Sequence, residues 1–384
     1  MINNLKEINL TEICEGTTKL LVPVEEKLLK KNPVFYNPEM EFSRDISVAA
    51  TRILKPENFC DLLAASGARG VRIANETESN VLANDVNPLA YDLIKKNISL
   101  NNLGDSRIKA ENQNAQKLLS ERNFDFIDID PFGSPVNFMD SALRSIISKG
   151  TLAVTATDTG ALCGTYPRAC MRKYDSISLR TEYYNELGLR ILIGFAARNS
   201  LKYDIGIEPL FSHCTRHYFR TYLKVRKGRK YVNENLKNIK DIQHCFSCLN
   251  KDYKNLNDME EKCSCGEKFM TAGPLWTGNF ADIEFCKKIE KELNNNDNNI
   301  FNNILNKNKA LKMISQIKEE QEIQIPYYDI HKICKKLKIP SPGMGELIEK
   351  LKVNDFKISR THFSGTGIRT DAGIEDIKKI LINQ

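Results

Sequence analysis

The sequence predicts an α/β protein with a parallel, doubly wound sheet, followed by a small cysteine module and a C-terminal α+β domain. Three observations carry this. Strand-like and helix-like segments alternate from Phe59 to Val225, four cysteines cluster between 245 and 265, and the tail from Ile325 to Gln384 has helix and strand signals of its own. The texture changes after residue 230. The expected division is therefore 1–230, a catalytic domain with an N-terminal arm, and 231–384, a second domain that includes the cysteine module at 244–266.

The elements follow in order. Residues 59–63 form a first strand, leading into Ala64-Ala65-Ser66-Gly67-Ala68-Arg69-Gly70. A second strand, 81–84, ends at Asp85. Asn87 caps the next helix, with Pro88 at its first position, to about Asn101. A third strand lies near 107–110, a fourth spans 124–129, a helix covers 138–147 and a strand 151–155. Residues 187–199 read as a buried helix. Segments 204–211 and 217–225 read as two late strands joined by a short turn, adding antiparallel pairing at the sheet edge. In the tail, 332–337 is amphipathic, 346–351 helical and 356–359 strand-like. The Asn/Lys-rich stretch 294–308 reads as a helical hairpin tip or a flexible loop.

The chain has 384 residues, 41% of them hydrophobic, enough for two domains and a sizeable core. No run approaches the ~20 apolar residues of a membrane span. Met1 to Glu7 lacks a basic region leading into an apolar one, so no signal peptide is expected and the location should be cytoplasmic. Net charge is +7, a mild hint of a polyanionic partner, and local runs say more: Lys224, Arg226, Lys227, Arg229 and Lys230, then Lys332, Lys335, Lys336 and Lys338. An odd count of 11 scattered cysteines argues against a disulfide framework.

The segment Phe124-Asp125-Phe126-Ile127-Asp128-Ile129-Asp130-Pro131-Phe132-Gly133 reads as a buried strand that ends in an acid, a proline and an aromatic. Three aspartates on such a strand need partners. The Asp-Pro-Phe order suits methyl transfer to the exocyclic amine of a flat base. The Asp130 carboxylate and the Pro131 carbonyl can grip the two amine hydrogens, and the Phe132 ring can stack on the base. Ligands of a doubly wound sheet bind at the carboxyl ends of its strands. Gly67 and its small neighbours let backbone approach a ligand there. Asp85, 18 residues on, is placed for a ribose diol, Asn112-Gln113-Asn114-Ala115 follows the third strand, and Asp130 follows the fourth. This ordered series fits S-adenosylmethionine. Upstream, Phe35 and Tyr36 between prolines read as a lid or as an arm packed on the sheet, with Arg44 available to a methionine carboxylate.

Phe35-Tyr36-Asn37-Pro38, Phe42-Ser43-Arg44-Asp45, Ser66-Gly67-Ala68-Arg69-Gly70 and Asp130-Pro131-Phe132-Gly133 closely resemble the tRNA (guanine-26, N2)-dimethyltransferases. So do the tail motifs Ser359-Arg360-Thr361-His362-Phe363 and Gly367-Ile368-Arg369-Thr370-Asp371. The resemblance covers about residues 15–375. It implies a Rossmann-like class I methyltransferase domain, S-adenosyl-L-methionine as methyl donor and tRNA as partner. It also implies a cofactor shell of Arg44, Arg69, Asp85, Asn114 and Ala115, a catalytic acid Asp130, and Phe35 and Phe132 on either side of the target guanine. No obligate protein partner is inferred. Phosphate contacts are expected from Lys224 to Lys230, from Arg360 and Arg369, and from Arg216 and Arg220. Two other readings compete: an amino-methyltransferase on another RNA or on DNA adenine or cytosine, and a non-catalytic RNA-binding protein. Asp/Asn-Pro-Pro-aromatic is usual in the DNA enzymes, and this chain has Phe132 at the second proline.

Cys245-x-x-Cys248 and Cys263-x-Cys265-Gly266 are separated by 14 residues, which reads as a structural four-thiolate zinc site. The second pair is C-x-C rather than C-x-x-C, so His244 is a possible substitute ligand. His213 and His217 lie in a strand turn and are not expected to bind metal.

Overall fold

The structure is a computed structural model that describes residues 5, 8–24, 32–295, 300–301 and 307–382. Apart from Leu5, the Met1 to Glu7 segment lies outside the described residues, as does most of the 294–308 stretch. The first part of the chain runs β1 (Leu10–Glu15), β2 (Thr18–Pro23), α1 (Glu41–Leu54), β3 (Asn58–Asp61), α2 (Ala68–Glu76), β4 (Asn80–Asn84), α3 (Pro88–Leu100), β5 (Ile108–Glu111), α4 (Ala115–Glu121), β6 (Phe124–Ile129), α5 (Val136–Ser145) and β7 (Ile146–Ala156). Next come α6 (Thr159–Leu162), α7 (Pro167–Tyr174), α8 (Tyr184–Leu201), β8 (Ile205–Thr215), β9 (Tyr218–Lys227), α9 (Arg229–Lys237), β10 (Ile239–His244), β11 (Lys251–Lys254) and β12 (Met270–Trp276). The tail holds α10 (Ile283–Leu293), α11 (Lys307–Glu320), β13 (Tyr328–Asp329), α12 (Ile330–Leu337), α13 (Met344–Val353), β14 (Ile358–Arg360), β15 (Gly367–Thr370) and α14 (Ile374–Ile382).

The main sheet has seven strands in the order β5-β4-β3-β6-β7-β9-β8. β5, β4, β3, β6 and β7 pair in parallel. The order reverses between β3 and β6, which is the switch point of a doubly wound sheet. β8 and β9 are joined by two residues, a connection only antiparallel neighbours allow.

By its internal contacts the chain divides into two units. The first comprises Met1–Thr155, Tyr222–Lys227 and Glu284–Ile314. Phe124, Phe126, Ile127 and Ile129 are all buried, so β6 is apolar on both faces, as a central parallel strand must be. Phe59 stacks on Phe126 at 4.6 Å. The Asn87 side chain accepts from the Leu89 amide at 3.0 Å, and Pro88 opens α3 as the sequence predicts. Glu41 to Asp45 belongs to the packed part of the chain. It opens α1, whose inward side buries Ser43 through Thr51. The β1–β2 hairpin, which the sequence reading passed over, is tied to α3 by Asn97. Its amide accepts from the Leu21 N–H at 2.6 Å and donates to the Leu21 carbonyl at 3.0 Å and the Ser66 carbonyl at 2.9 Å. Asn97 thereby acts as a strand surrogate and fixes the glycine loop as well.

The second unit comprises Ala156–Thr221, Gly228–Ile283 and Ser315–Gln384. α8 is buried almost all round, the signature of a core helix. β11-β10-β12 forms one small sheet and β13-β15-β14 another. α12, α13 and α14 pack Ile333, Leu347, Leu351, Ile377 and Leu381 into one apolar cluster.

Candidate active site and metal centre

The register of the parallel strands aligns their carboxyl ends. Asp61 pairs with Ala83 on one side and Asp128 on the other, and Asn84 pairs with Glu111. The loops that follow carry Gly67, Asp85, Asn114 and Asp130, so these four residues share one edge of the first unit.

Gly67 has φ +78°, and a Cβ there would meet Ile94 Cγ1 at 2.9 Å. Only glycine fits both the turn and the approach of α3. Gly70 donates its amide to Asp61 Oδ2 at 2.8 Å. Asp85 accepts the Ala65 amide at 2.8 Å on one oxygen and the Asn87 amide at 2.9 Å on the other. Burial raises its pKa, against the pull of those two amides. Asn114 caps α4, accepting from the Gln116 and Lys117 amides, and Ala115 is the buried first residue of that helix.

Asp130 is held by Arg69 Nη2. The same guanidinium places Nε 3.5 Å from buried Asp128 and donates from Nη1 to Ser47 Oγ at 2.5 Å. Ser47 donates its one proton to the Ser43 carbonyl at 2.8 Å. The contact at 2.9 Å between Ser47 Oγ and Tyr222 OH is therefore donated by the tyrosine. Asp61 lies in the same charge cluster. Burial and the Asp128 charge raise its pKa to about 7, against the opposing pull of Arg69. One guanidinium thus faces three carboxylates. Asp125, the other acid of β6, accepts the Glu57 and Asn58 amides at 2.8 and 3.1 Å at the opposite end of the strand.

Pro131 is buried, while Phe132 is 47% exposed. The Phe132 ring meets Phe35 edge-on, with centroids 4.3 Å apart. Arg44 is buried and committed on its Nε–Nη2 edge to Glu15, at 2.7 and 2.5 Å. Glu15 also accepts from Tyr36 OH at 2.6 Å and lies 3.3 Å from Arg72, which pairs in turn with Asp45 at 2.7 Å and Glu76 at 3.0 Å. Burial works to raise the Glu15 pKa, but the Arg44 and Arg72 charges overcome it and hold the group below the usual range. Glu15, Ser47, Asp61, Asp128 and Tyr222 are contacts the sequence reading did not assign. Only the repeated acids of β3 and β6 signalled any of them.

In the second unit all four cysteine sulfurs converge. Cys245 Sγ lies 3.5 Å from Cys265 Sγ, Cys248 Sγ lies 3.5 Å from Cys263 Sγ, and all four fall within 4.8 Å of one another. A tetrahedral metal with Zn–S near 2.3 Å requires sulfurs about 3.8 Å apart, so the donor set fits zinc. Against burial, hydrogen bonds from the Cys265 amide and from Cys248 and Asn250 hold the Cys263 thiol low, while burial holds the Cys245 and Cys248 thiols high. Gly266 makes the tight turn at φ +90°. His244 is not among the converging ligands. It is buried with Nε2 3.6 Å from Glu182. The C-x-C spacing therefore needs no substitute.

Two expected phosphate contacts are corrected. Arg369 is fully buried and lies 2.7 Å from Glu186 and 3.0 Å from Glu320. Arg220 is fully buried too. A sequence does not distinguish an arginine of an internal ion network from one at the surface. Glu320 also accepts from Thr361 Oγ1 at 2.7 Å and from the His362 ring at 2.6 Å, so the Thr361-His362-Phe363 motif is structural. His213 is buried, 2.8 Å from Thr215 Oγ1, and the turn between β8 and β9 carries Arg216 and exposed His217.

A 3-2-1-4-5-7-6 strand order, counted within the sheet, with acids at the carboxyl ends of its first, second and fourth strands, defines a Rossmann-like class I methyltransferase fold. The profile of the N2,N2-dimethylguanosine tRNA methyltransferases matches residues 16–382, and the chain belongs to that family. The tRNA (guanine(26)-N(2))-dimethyltransferase of Methanosarcina acetivorans is 42% identical over 96% of this chain and 97% of its own. The enzyme of that name from Pyrococcus furiosus is 39% identical over 97% and 99%. The structure of Trm1 from Pyrococcus horikoshii with S-adenosyl-L-methionine superposes with a TM-score of 0.86, at 36% identity, covering 97% of this chain and all of that one.

Proposed function

We propose that this protein transfers one or two methyl groups from S-adenosylmethionine to the exocyclic N2 amine of guanine 26 in tRNA. The observation that carries the reading is Asp130, held by Arg69 at the carboxyl end of β6, beside the exposed ring of Phe132, in a chain of this family. The methyl donor supplies an activated sulfonium that needs no help from an acid or base. What remains for the protein is positioning. The Asp130 carboxylate accepts one amine hydrogen and the Pro131 carbonyl the other, which localises the nitrogen lone pair toward the methyl. For Phe35 and Phe132 to flank the base, their rings must part from the edge-on contact they make here. The first transfer leaves the nitrogen positively charged, so it gives up one proton to water, and the remaining N–H is held by the same carboxylate.

The residues present fit the donor. Each Asp85 oxygen accepts a single backbone amide and keeps acceptor capacity for a ribose diol. Gly67 brings backbone to the site, and Asn114 and Ala115 shape the adenine side. Arg44 and Arg69 would reach the methionine carboxylate only by sharing guanidiniums that already hold Glu15 and Asp130. The excess of carboxylate over guanidinium around Asp61, Asp128 and Asp130 suits a cationic sulfonium and ammonium.

Zinc at Cys245, Cys248, Cys263 and Cys265 is structural in this reading, since four protein ligands leave no open position. Residues 1–230 serve as the methyltransferase domain and 231–384 as the tRNA-binding domain, working in the cytoplasm without an obligate protein partner. Among the described residues no helix is long and apolar enough to cross a membrane.

The test combines labelled S-adenosylmethionine with unmodified tRNA transcript and identifies the digested nucleosides by mass. N2-methyl- and N2,N2-dimethylguanosine are expected at position 26. Asp130→Ala should retain donor binding and lose turnover by about 10²–10³, the scale of removing one positioned hydrogen-bond partner from a transition state. Near-normal turnover in that variant would remove Asp130 from the mechanism.

A further inference from the structure

The second unit carries lysines on three consecutive helices near its end, and they are not alike. On α13, Lys350 pairs with Glu346 at 2.7 Å and Lys352 with Glu349 at 3.3 Å. On α14, Lys378 pairs with Glu375 at 2.7 Å and Lys379 with Asp376 at 3.9 Å. These are the ordinary solvated pairs of surface helices. α12 differs. It contains no acid, and Lys332, Lys335 and Lys336 stand exposed at i, i+3 and i+4, with Lys338 exposed just past its end. Among the described residues none of these four makes an ion pair. The opposite face, Ile330, Ile333 and Cys334, is buried in the unit's own core.

Like charges three and four residues apart oppose helix formation. The helix dipole offsets this for Lys335 and Lys336, which lie in the last turn. It disfavours Lys332, which lies in the first. Asp329, the N-cap, accepts the Lys332 amide at 3.2 Å and offsets the dipole there, yet it forms no ion pair with the Lys332 ammonium, and a partner outside the chain explains the four unpaired ammonium groups together. That partner is anionic and extended over at least one helical turn. It is not a lipid surface, because a membrane-lying helix offers its apolar face to the bilayer, and here that face is occupied.

The geometry points to the Lys332–Lys335–Lys336–Lys338 face of α12 as a docking surface for the phosphate backbone of RNA. This rests on the tRNA substrate proposed above and names where the second unit meets it. On the neighbouring helix α13 the lysines are already paired with Glu346 and Glu349, so α12 and not α13 takes the backbone.

The test uses the full chain with the triple substitution Lys332→Glu, Lys335→Glu and Lys336→Glu. The control is Lys350→Glu, Lys352→Glu and Lys378→Glu, which changes net charge equally at paired positions. Binding of tRNA is measured from 50 to 300 mM salt, with zinc content and melting temperature confirming the fold. The α12 variant should bind tRNA about tenfold more weakly, with its log–log salt slope reduced by about 2–3, one counterion-release step per lost phosphate contact. Donor affinity, and turnover at saturating tRNA, should stay at wild-type values. The Lys→Gln triple, which removes charge without reversing it, should move in the same direction by less. Equal losses in the α12 variant and the control would overturn the assignment, because a general charge effect would suffice. An unchanged slope would overturn it as well. So would loss of binding to phosphatidylserine vesicles while tRNA binding stays intact. Wild-type protein that neither binds nor methylates tRNA would instead overturn the proposed function.

Discussion

Asp61 offers the sharpest test of the charge arrangement at the β3–β6 edge. It is almost fully buried and shares one guanidinium with Asp128 and Asp130. Its pKa is raised from 3.8 to about 7. Between those values the unfolded chain has lost the proton and the folded protein still holds it, so folding stability falls as pH rises from 3.8 to 7 and is level above. A shift of some three units corresponds to about 4 kcal/mol of cost above pH 7, and to less than about 2 kcal/mol at pH 5. Asp61→Asn mimics the protonated acid. It keeps an oxygen for the Gly70 amide and presents N–H to the neighbouring carboxylates. The variant should be more stable than the wild type at pH 8 by an amount approaching that figure, with the gap narrowing at pH 5. Fluorescence will not report it, since the one tryptophan, Trp276, belongs to the other unit. Amide hydrogen exchange of peptides spanning residues 58–76, followed through a urea series at both pH values, reads the right region. A variant with the wild-type pH slope, or one less stable at pH 8, would refute the reasoning.

Two further outcomes are expected. Glu15→Gln removes the charge shared by buried Arg44 and Arg72, and stability should drop by about 3–5 kcal/mol, the cost of breaking a buried ion pair from one side, measured by urea unfolding at neutral pH. Freshly purified protein should hold one equivalent of zinc. Cys263→Ser or exhaustive chelation should release it and expose residues 244–270 to protease, while donor affinity, read by calorimetry, is unchanged. Full metal retention in the serine variant would contradict the four-thiolate set.

Local signals were legible wherever local chemistry decides the outcome. The β6 boundaries, the Asn87 cap with Pro88 behind it and the four-cysteine cluster all follow from short-range rules, and each stands where the sequence puts it. Ordered acids at strand ends revealed the site's edge because the parallel register brings them together. Pairing across long separations was not legible. Nothing within Phe42 to Asp45 announces that Arg44 meets Glu15, 29 residues earlier, or that Arg69 rather than solvent meets Asp130. Residues 64–70 read as one small-residue segment approaching a ligand, yet Ala68 to Gly70 already open α2, whose inward face is buried. Arg369 was misplaced for the same reason: its carboxylates come from α8 and α11, far away in the chain.

The ionic wiring inside each unit has a thermal consequence. In one, Glu15, Arg44, Asp45, Arg72 and Glu76 are buried together, and in the other Glu186, Arg190, Glu320 and Arg369 are. Hydration of charge carries a strongly negative entropy, so water competes less well for these groups as the solution warms, while the apolar contribution per unit area levels off. Networks that are an expense near freezing become progressively less so with heat. The stability of this protein should therefore lean on its ions most where a purely hydrocarbon interior has no more to give.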